Sequence, residues 1–564
     1  MEIQKKTRQL LVILIIAIFF NGLVWSALIP MWHTPDEQAH FAQAQDFAAL
    51  GGRPKTGFST SQDIVLSERY LGVFRDERGN NRFTYHPEYN IEYSNSTTGL
   101  YEKELMAMPV ESRSIFAINE ATGYPPLYYL YISAMNKQFL SLDLISRVFM
   151  SRVATVLLSV GLGAVVFYIG KIVFKEIFYA YVLAALVVFQ PMRTLVGSGV
   201  TSDALMNLIY PLSILLLLKA DLQSAWRNLI FFILALVVLL LTKTQGVFLI
   251  LFSSLLWLKV ITGRKNKLCP KLISAVALLS IVAAISIGII NRTAFRNIIP
   301  QPLLANMFIP EVDDTIGLNS KPFLIDYVKA MSMDLYRQVL PWYWGVYRWL
   351  SLTLPFWVYR TIKVIMLTSL FGWIIGFKKI KTVVNSRPLI WLTVSSAIYA
   401  LGIYAWNLLF WRSKGFSFGI QGRYFFPNLT EHMAILLLGL ILFGQSILSV
   451  IPARFVEASA RRAKAGIYLN RFRIKSGMTI EKILAFAAVF GMISFNWFSL
   501  WFVSQSYYGD IFNYQTFFLR ASQYKPWFFK TPLLEIWVGL GILTSVWFLL
   551  SLIRYTRDIR ALEH

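Results

Sequence analysis

The feature that most constrains this chain is the recurrence of apolar runs of about 18 or more residues, each long enough to cross a bilayer core of roughly 30 Å. They begin at Leu10 and return as far as Ile553. Only 15% of the 564 residues are Asp, Glu, Lys or Arg, against roughly 25% in soluble domains. A chain that meets lipid repeatedly must satisfy its backbone hydrogen bonds within each segment, which favours helices. The expected fold is therefore an all-α polytopic membrane protein of about 12–14 transmembrane helices, with a long, partly helical first extracytoplasmic loop.

Lys5, Lys6 and Arg8 precede an apolar run that extends to Pro30. A secretory signal has an apolar region of only about 7–15 residues, so this run reads as a retained first helix with its N-terminus in the cytoplasm. Further spans are expected at 124–140, 151–173, 179–196, 204–222, 229–241, 247–261, 272–290, 350–375, 389–410, 425–447, 480–503 and 533–553. Basic clusters at 264–271, 378–381, 454–475 and 554–560 mark the cytoplasmic side by the positive-inside rule. This divides the chain into a first helix (1–30), a first outer loop (31–123), a transmembrane core (124–447, with an outer loop at 293–349) and a C-terminal part (448–564) of a basic loop and final helices. The count carries a conflict. Thirteen spans from a cytoplasmic N-terminus end outside, whereas Arg554, Arg557 and Arg560 place the C-terminus inside; a segment such as 124–140 or 229–241 that fails to cross would remove it.

The net charge of +24 sits in short clusters beside apolar segments, the pattern of membrane-lipid contact and not of nucleic-acid binding. A single cysteine, Cys269, excludes an internal disulfide. The 31–123 stretch holds 13 acidic residues against 8 Lys or Arg, which sets it apart in a basic protein, and its length suggests a functional loop.

That loop opens with His33-Thr34-Pro35-Asp36-Glu37-Gln38-Ala39-His40. Thr34 as N-cap, Pro35 at N1 and Glu37 at N3 spell a capping box, which makes Glu37 a structural residue first. Asp36 would sit at N2, held ionised by the helix dipole, with His40 one turn on. Such a carboxylate suits a general base or a metal ligand. Asp203, in Thr201-Ser202-Asp203, starts a later helix on the same face, so Asp36 and Asp203 could meet at a substrate or a divalent cation. Arg147, Arg152, Arg193, Lys243 and Arg423 gather at that face, and Arg and Lys aimed at one point recognise phosphate. Tyr124-Pro125-Pro126 and Pro341-Trp342-Tyr343-Trp344 read as interfacial aromatic segments.

At these residues the sequence resembles the GT-C superfamily of membrane glycosyltransferases, and within it a bacterial multi-span group with a Pro-Asp-Glu-x-x-His-Phe motif after the first helix, here Pro35 to Phe41. Tyr124-Pro125-Pro126, Arg147 to Arg152, Ser202-Asp203-Ala204, Lys243-Thr244-Gln245-Gly246 and Gln421-Gly422-Arg423-Tyr424 follow in order. The resemblance implies a site facing outward from the plasma membrane, a sugar donor on a polyprenyl phosphate, and a glycan, lipid or protein acceptor, in cell-envelope polysaccharide synthesis or modification. It implies Asp36 as catalytic residue, with Glu37, His40, Tyr124, Arg152, Asp203, Lys243 and Arg423 binding substrate. A divalent metal on Asp36 and Asp203 is left open. The alternatives are a flippase of lipid-linked sugars, or a non-catalytic partner in polysaccharide assembly. A flippase predicts charges near mid-membrane and broken, symmetry-related helices.

Overall fold

A computed structural model describes residues 2–52, 58–76, 80–93, 96–114, 116–118, 124–223, 226–249, 321–414, 417, 419–450 and 479–563. The chain is an all-α polytopic membrane protein. Among the described residues eight helices are long and apolar enough to cross a membrane, and two shorter apolar ones, Ile177–Val188 and Ile230–Thr242, accompany them. The strands among these residues form two small antiparallel ribbons, Phe58–Ser61 with Phe116–Ile118 and Val346–Tyr347 with Leu352–Thr353. The expected span at 272–290, nearly all of that at 247–261, the basic clusters at 264–271 and 454–475, Cys269 and the outer loop up to residue 320 lie outside the described residues.

The helices run between two chemically different ends. At one, Lys6 pairs with Asp558 at 2.9 Å and Lys482 with Glu176 at 2.7 Å. There too Lys379 Nζ donates to the Gln445 carbonyl at 2.8 Å, and Lys175 N–H to that of Val383 at 3.0 Å. At the other end the Tyr508 hydroxyl donates to Leu28 O at 2.8 Å, joining the last turns of Glu2–Leu28 and Ile480–Tyr508. The Lys6–Asp558 pair bears on the conflict in the thirteen-span count: it sets the start of the first helix and the end of the last at the same end, as expected from the basic cluster at 554–560. The segment 124–140 is one that does not cross, because its helix, Leu127–Asn136, has 10 residues and is about 15 Å long.

Polar contacts and small residues register the bundle. Asn496, buried in Ile480–Tyr508, accepts from Trp25 Nε1 at 3.0 Å and donates to Phe189 O and Thr194 Oγ1 at 2.9 and 3.0 Å. Ser369 and Gly372 face Gly439, so Phe356–Gly376 and Leu429–Val450 pack closely enough for Ser369 Oγ and Trp373 Nε1 to donate to Leu436 and Ile435 carbonyls. Small residues at helix interfaces permit that approach in lipid.

The described parts of the first loop are folded onto the end opposite the Lys6–Asp558 pair. Its helix Glu37–Leu50 reads as amphipathic, yet from Glu37 to Ala48 every residue is buried. Asp63 in Gln62–Leu71 pairs with Arg147 at 2.8 Å, and Glu102 in Thr97–Ala107 pairs with Lys530 at 2.6 Å. These pairs tie the described parts of the loop to helix starts far along the chain.

Candidate active site

The peptide leaving the first helix turns sharply. Asp36 has φ 56° and ψ 21°, and the helix begins at Glu37. The capping box is therefore not formed: the left-handed residue interrupts the Thr34–Glu37 geometry, and the Thr34 hydroxyl has no partner among the described residues. Left-handed backbone is tolerated by Asp more readily than by most residues, and here it turns neighbouring carboxyl groups to different surroundings.

Glu37 points into protein. Its Oε1 and Oε2 accept from Arg152 Nε and Nη2 at 2.7 and 2.6 Å, and from the backbone N–H groups of Val200 and Trp32 at 3.0 Å each. Arg152 also donates to the carbonyls of Ser26, Ile29 and Pro30 at 2.7–2.8 Å. Neither residue is solvent-accessible, and neither lines a cavity described below. The expectation that Glu37 and Arg152 contact substrate is corrected: together they fix the end of the first helix. Arg147 is likewise engaged, with Asp63 and Gln45.

Asp36 points outward and is held by two cations. Arg423 Nη2 lies 2.8 Å from its Oδ2 and Arg75 Nη1 3.5 Å from its Oδ1. Burial alone would raise its pKa, but Arg423, Arg75 and His40 overcome that and hold the carboxyl well below the usual range. Arg423 Nη1 also stands 3.9 Å from Asp203, whose other oxygen contacts Lys243. Asp203 begins Ser202–Gln223 and Lys243 follows Trp226–Thr242, so two helix termini and the 3-10 turn Gly422–Asn428 converge on one charge cluster. Arg75 and Arg423 thus face Asp36, and Lys243 and Arg423 face Asp203.

His40 Nδ1 shares a 2.7 Å hydrogen bond with the Tyr129 hydroxyl. Burial lowers its pKa to about 4 against the opposing pull of Asp36 and Asp203, so the imidazole is neutral near pH 7. Burial likewise keeps the Tyr124 phenol protonated, its pKa pushed well above 10. No cluster of three His, Cys, Asp or Glu with metal-holding geometry occurs among the described residues. Asp36 and Asp203 are neutralised by Arg423 and Lys243 on the oxygens a cation would need, so this donor set does not fit the divalent ion left open above.

Two cavities meet at this cluster. The larger, about 880 Å³, is lined by polar and aromatic groups including Gln38, Arg75, Trp342, Trp349 and Gln421; the smaller, about 200 Å³, by His40, Asp203, Lys243, Phe248, Ile403 and Trp406. Asp36, Tyr124, Arg423 and Tyr424 belong to both walls. The structure thus brings Asp36, His40, Tyr124, Asp203, Lys243 and Arg423 together. The Pro341–Trp344 stretch lies in the short helix Leu340–Trp344, with Trp342, Tyr343 and Trp344 buried and Trp342 in the wall of the larger cavity.

Arg75, Gln38 and Trp349 carry no sequence signal that would have singled them out. Five of the seven non-glycine residues with positive φ among the described residues line the larger cavity: Asp36, Tyr85, Arg348, Trp349 and Leu350. Each such residue costs roughly 1–3 kcal/mol, and such strain gathers at functional sites.

A family model described as "Predicted membrane protein (DUF2142)" matches residues 19–430. The chain belongs to that family. No curated protein and no solved structure matches it.

Proposed function

We propose that this DUF2142 membrane protein is a glycosyltransferase of GT-C type, moving a sugar from a polyprenyl-phosphate donor to an acceptor hydroxyl. The observation that carries the reading is the position of Asp36 on the wall shared by two cavities of different chemistry. The smaller joins Lys243 and Arg423 to apolar Phe248, Ile403 and Trp406, as a phosphate attached to a hydrocarbon chain requires. The larger cavity suits a polar acceptor.

In the proposed reaction Asp36 takes the proton from the acceptor hydroxyl. That oxygen forms its bond to the anomeric carbon as the bond to the phosphate oxygen breaks, and the electron pair leaves with the phosphate. Arg423 and Lys243 take up the growing negative charge. Attack opposite the leaving group inverts the anomeric centre. No metal is needed to neutralise the leaving phosphate, because two cations already stand there. The donor phosphate competes with Asp36 for Arg423, so its arrival restores basicity to the carboxylate. His40 and Tyr124 shape the junction, the first as a neutral ring.

The site's charges lie at the end of the bundle opposite Lys6, Lys379 and Lys482, which supports reading the protein as an enzyme over a flippase and, with the positive-inside rule, supports an extracytoplasmic site; a plasma-membrane location is part of the proposal. The test is incubation of the purified full chain in lipid nanodiscs with polyprenyl-phosphate sugars. Release of lipid phosphate from wild type and none from Asp36→Asn, with unchanged thermal unfolding, is the expected result. Equal release by Asp36→Asn would overturn the reading.

A further inference from the structure

Residues in the wall of the larger cavity carry buried polar groups that the protein leaves unused. Gln38, the second residue of Glu37–Leu50, is 2% exposed, and neither its Nε2 nor its Oε1 has a partner among the described residues. The same holds for Thr34 Oγ1. Native proteins leave few buried polar groups unsatisfied, since each forfeits its hydration. Both side chains belong to the wall of the larger cavity, adjacent in sequence to Asp36.

That wall also carries aromatic faces on constrained backbone. Trp349 sits in the hairpin loop after Val346–Tyr347, where Arg348, Trp349 and Leu350 all have positive φ. Its indole Nε1 donates to Trp32 O at 3.1 Å and its carbonyl accepts from Tyr85 N–H at 3.3 Å. Trp342 and Tyr85 line the same space. Strained residues persist where the surroundings fix them, as in ligand clamps.

We infer that the larger cavity binds a hydroxyl-rich glycan chain, with Gln38 and Thr34 hydrogen-bonding the sugar beside Asp36 and Trp349 offering a stacking face. This rests on reading that cavity as the acceptor site and names the acceptor's class. An amide and a hydroxyl each donate and accept, as sugar hydroxyls do, and a flat indole accommodates the C–H face of a pyranose. A lipid chain would leave the amide unsatisfied.

The test is donor-free binding of a panel of neutral hexasaccharides (glucose, galactose, mannose, rhamnose or N-acetylglucosamine) to the full chain in nanodiscs. A glycerol-phosphate hexamer and a Gly-Ser hexapeptide serve as comparison probes. Titration calorimetry is expected to show saturable binding of at least one saccharide, weakened about tenfold or more in Gln38→Leu and in Trp349→Ala. Gln38→Leu removes two unsatisfied groups and should raise the melting temperature of the unliganded protein, the opposite of losing a structural hydrogen bond. Binding of none of the saccharides, binding of only the peptide or glycerol phosphate, or unchanged affinity in both variants would overturn the assignment. Lipid-phosphate release without saccharide binding sinks this inference alone; saccharide binding without release sinks the transferase and leaves the glycan site.

Discussion

Arg423 lies 2.8 Å from Asp36, a residue 387 positions earlier in the chain, and the same guanidinium stands 3.9 Å from Asp203. One side chain thereby links the exit of the first helix to the entrances of two others. A planar fork can serve both carboxylates and then a phosphate, which a lysine ammonium cannot do with the same geometry. Arg423→Lys should therefore retain the fold but lower kcat by about 10²–10³-fold, the range seen when one preorganised donor to a developing anion is removed. Initial rates of lipid-phosphate release at saturating donor check this; a loss confined to donor KM would show that Arg423 binds without stabilising the leaving group.

The Glu37–Arg152 pair calls for a different outcome. Removing one partner of a fully buried ion pair strands the other, at about 3–5 kcal/mol. Glu37→Gln and Arg152→Met should each lower the melting temperature in nanodiscs, with activity falling in step with folded protein. The double variant should recover part of the loss, because neither member of the pair is then left facing an absent partner. Single variants that unfold normally but do not turn over would return these residues to the catalytic site.

The pattern of spans was legible because the bilayer imposes a length and a composition that a sequence must display. Asp36, Asp203, Lys243 and Arg423 were legible because charge at the ends of apolar segments is costly and stands out. The fate of Glu37 was not. Its local pattern, Thr34-Pro35-Asp36-Glu37, fits a helix cap, and only the left-handed turn at Asp36 together with Arg152, 115 positions away, decides otherwise. Gln38 and Trp349 give no signal either: an amide in a helix and an indole near a span are ordinary until burial and backbone geometry are known. The 124–140 segment failed as a span because apolar composition there serves a short helix packed under the loop.

Asp46 gives stability a distinct pH dependence. Burial, reinforced by the charge of Asp63, raises its pKa to about 9 from the ordinary 3.8, so the folded protein carries this carboxyl protonated at neutral pH. Between those values the folded state binds the extra proton, and stability is lost as pH rises, by up to about 1.4 kcal/mol per pH unit. Asp46→Asn keeps a neutral side chain of the same shape. Its melting temperature should exceed that of wild type at pH 8 and approach it at pH 5; parallel curves across that range would show that Asp46 is ionised in the fold.

His40 works in the opposite sense. With a folded pKa of about 4 against an ordinary 6.5, depressed mainly by burial, the unfolded chain takes the proton first as pH falls. The protein should lose stability between pH 6.5 and 4 and no further from this group below that. His40→Gln should flatten that part of the melting-temperature profile relative to wild type. An unchanged slope would mean that the imidazole is charged in the fold.

Gly422 sets the position of Arg423 through backbone contact. A Cβ built on it would lie 2.2 Å from Tyr343 N and 2.5 Å from Tyr343 Cα, both backbone atoms that cannot swing aside like a flexible side-chain end. Gly422→Ala must therefore push the 3-10 turn Gly422–Asn428 away from the Leu340–Trp344 helix, and Arg423 moves with it. The turn feeds directly into Leu429–Val450, whose first residues Leu429, Thr430 and Glu431 are buried, so the displacement concentrates at the turn and at the junction of the two cavities. A shift of about 1 Å in a positioning group can cost about 10²-fold in rate. Gly422→Ala should therefore cut turnover by roughly that factor, with a much smaller change in melting temperature than Glu37→Gln. Gly419 has nothing within 4 Å of its built Cβ, but its φ of +78° makes alanine there a backbone-strain control that relocates no neighbour. Turnover lost equally in both variants would mean that loop strain, and not the Tyr343 contact, controls the site.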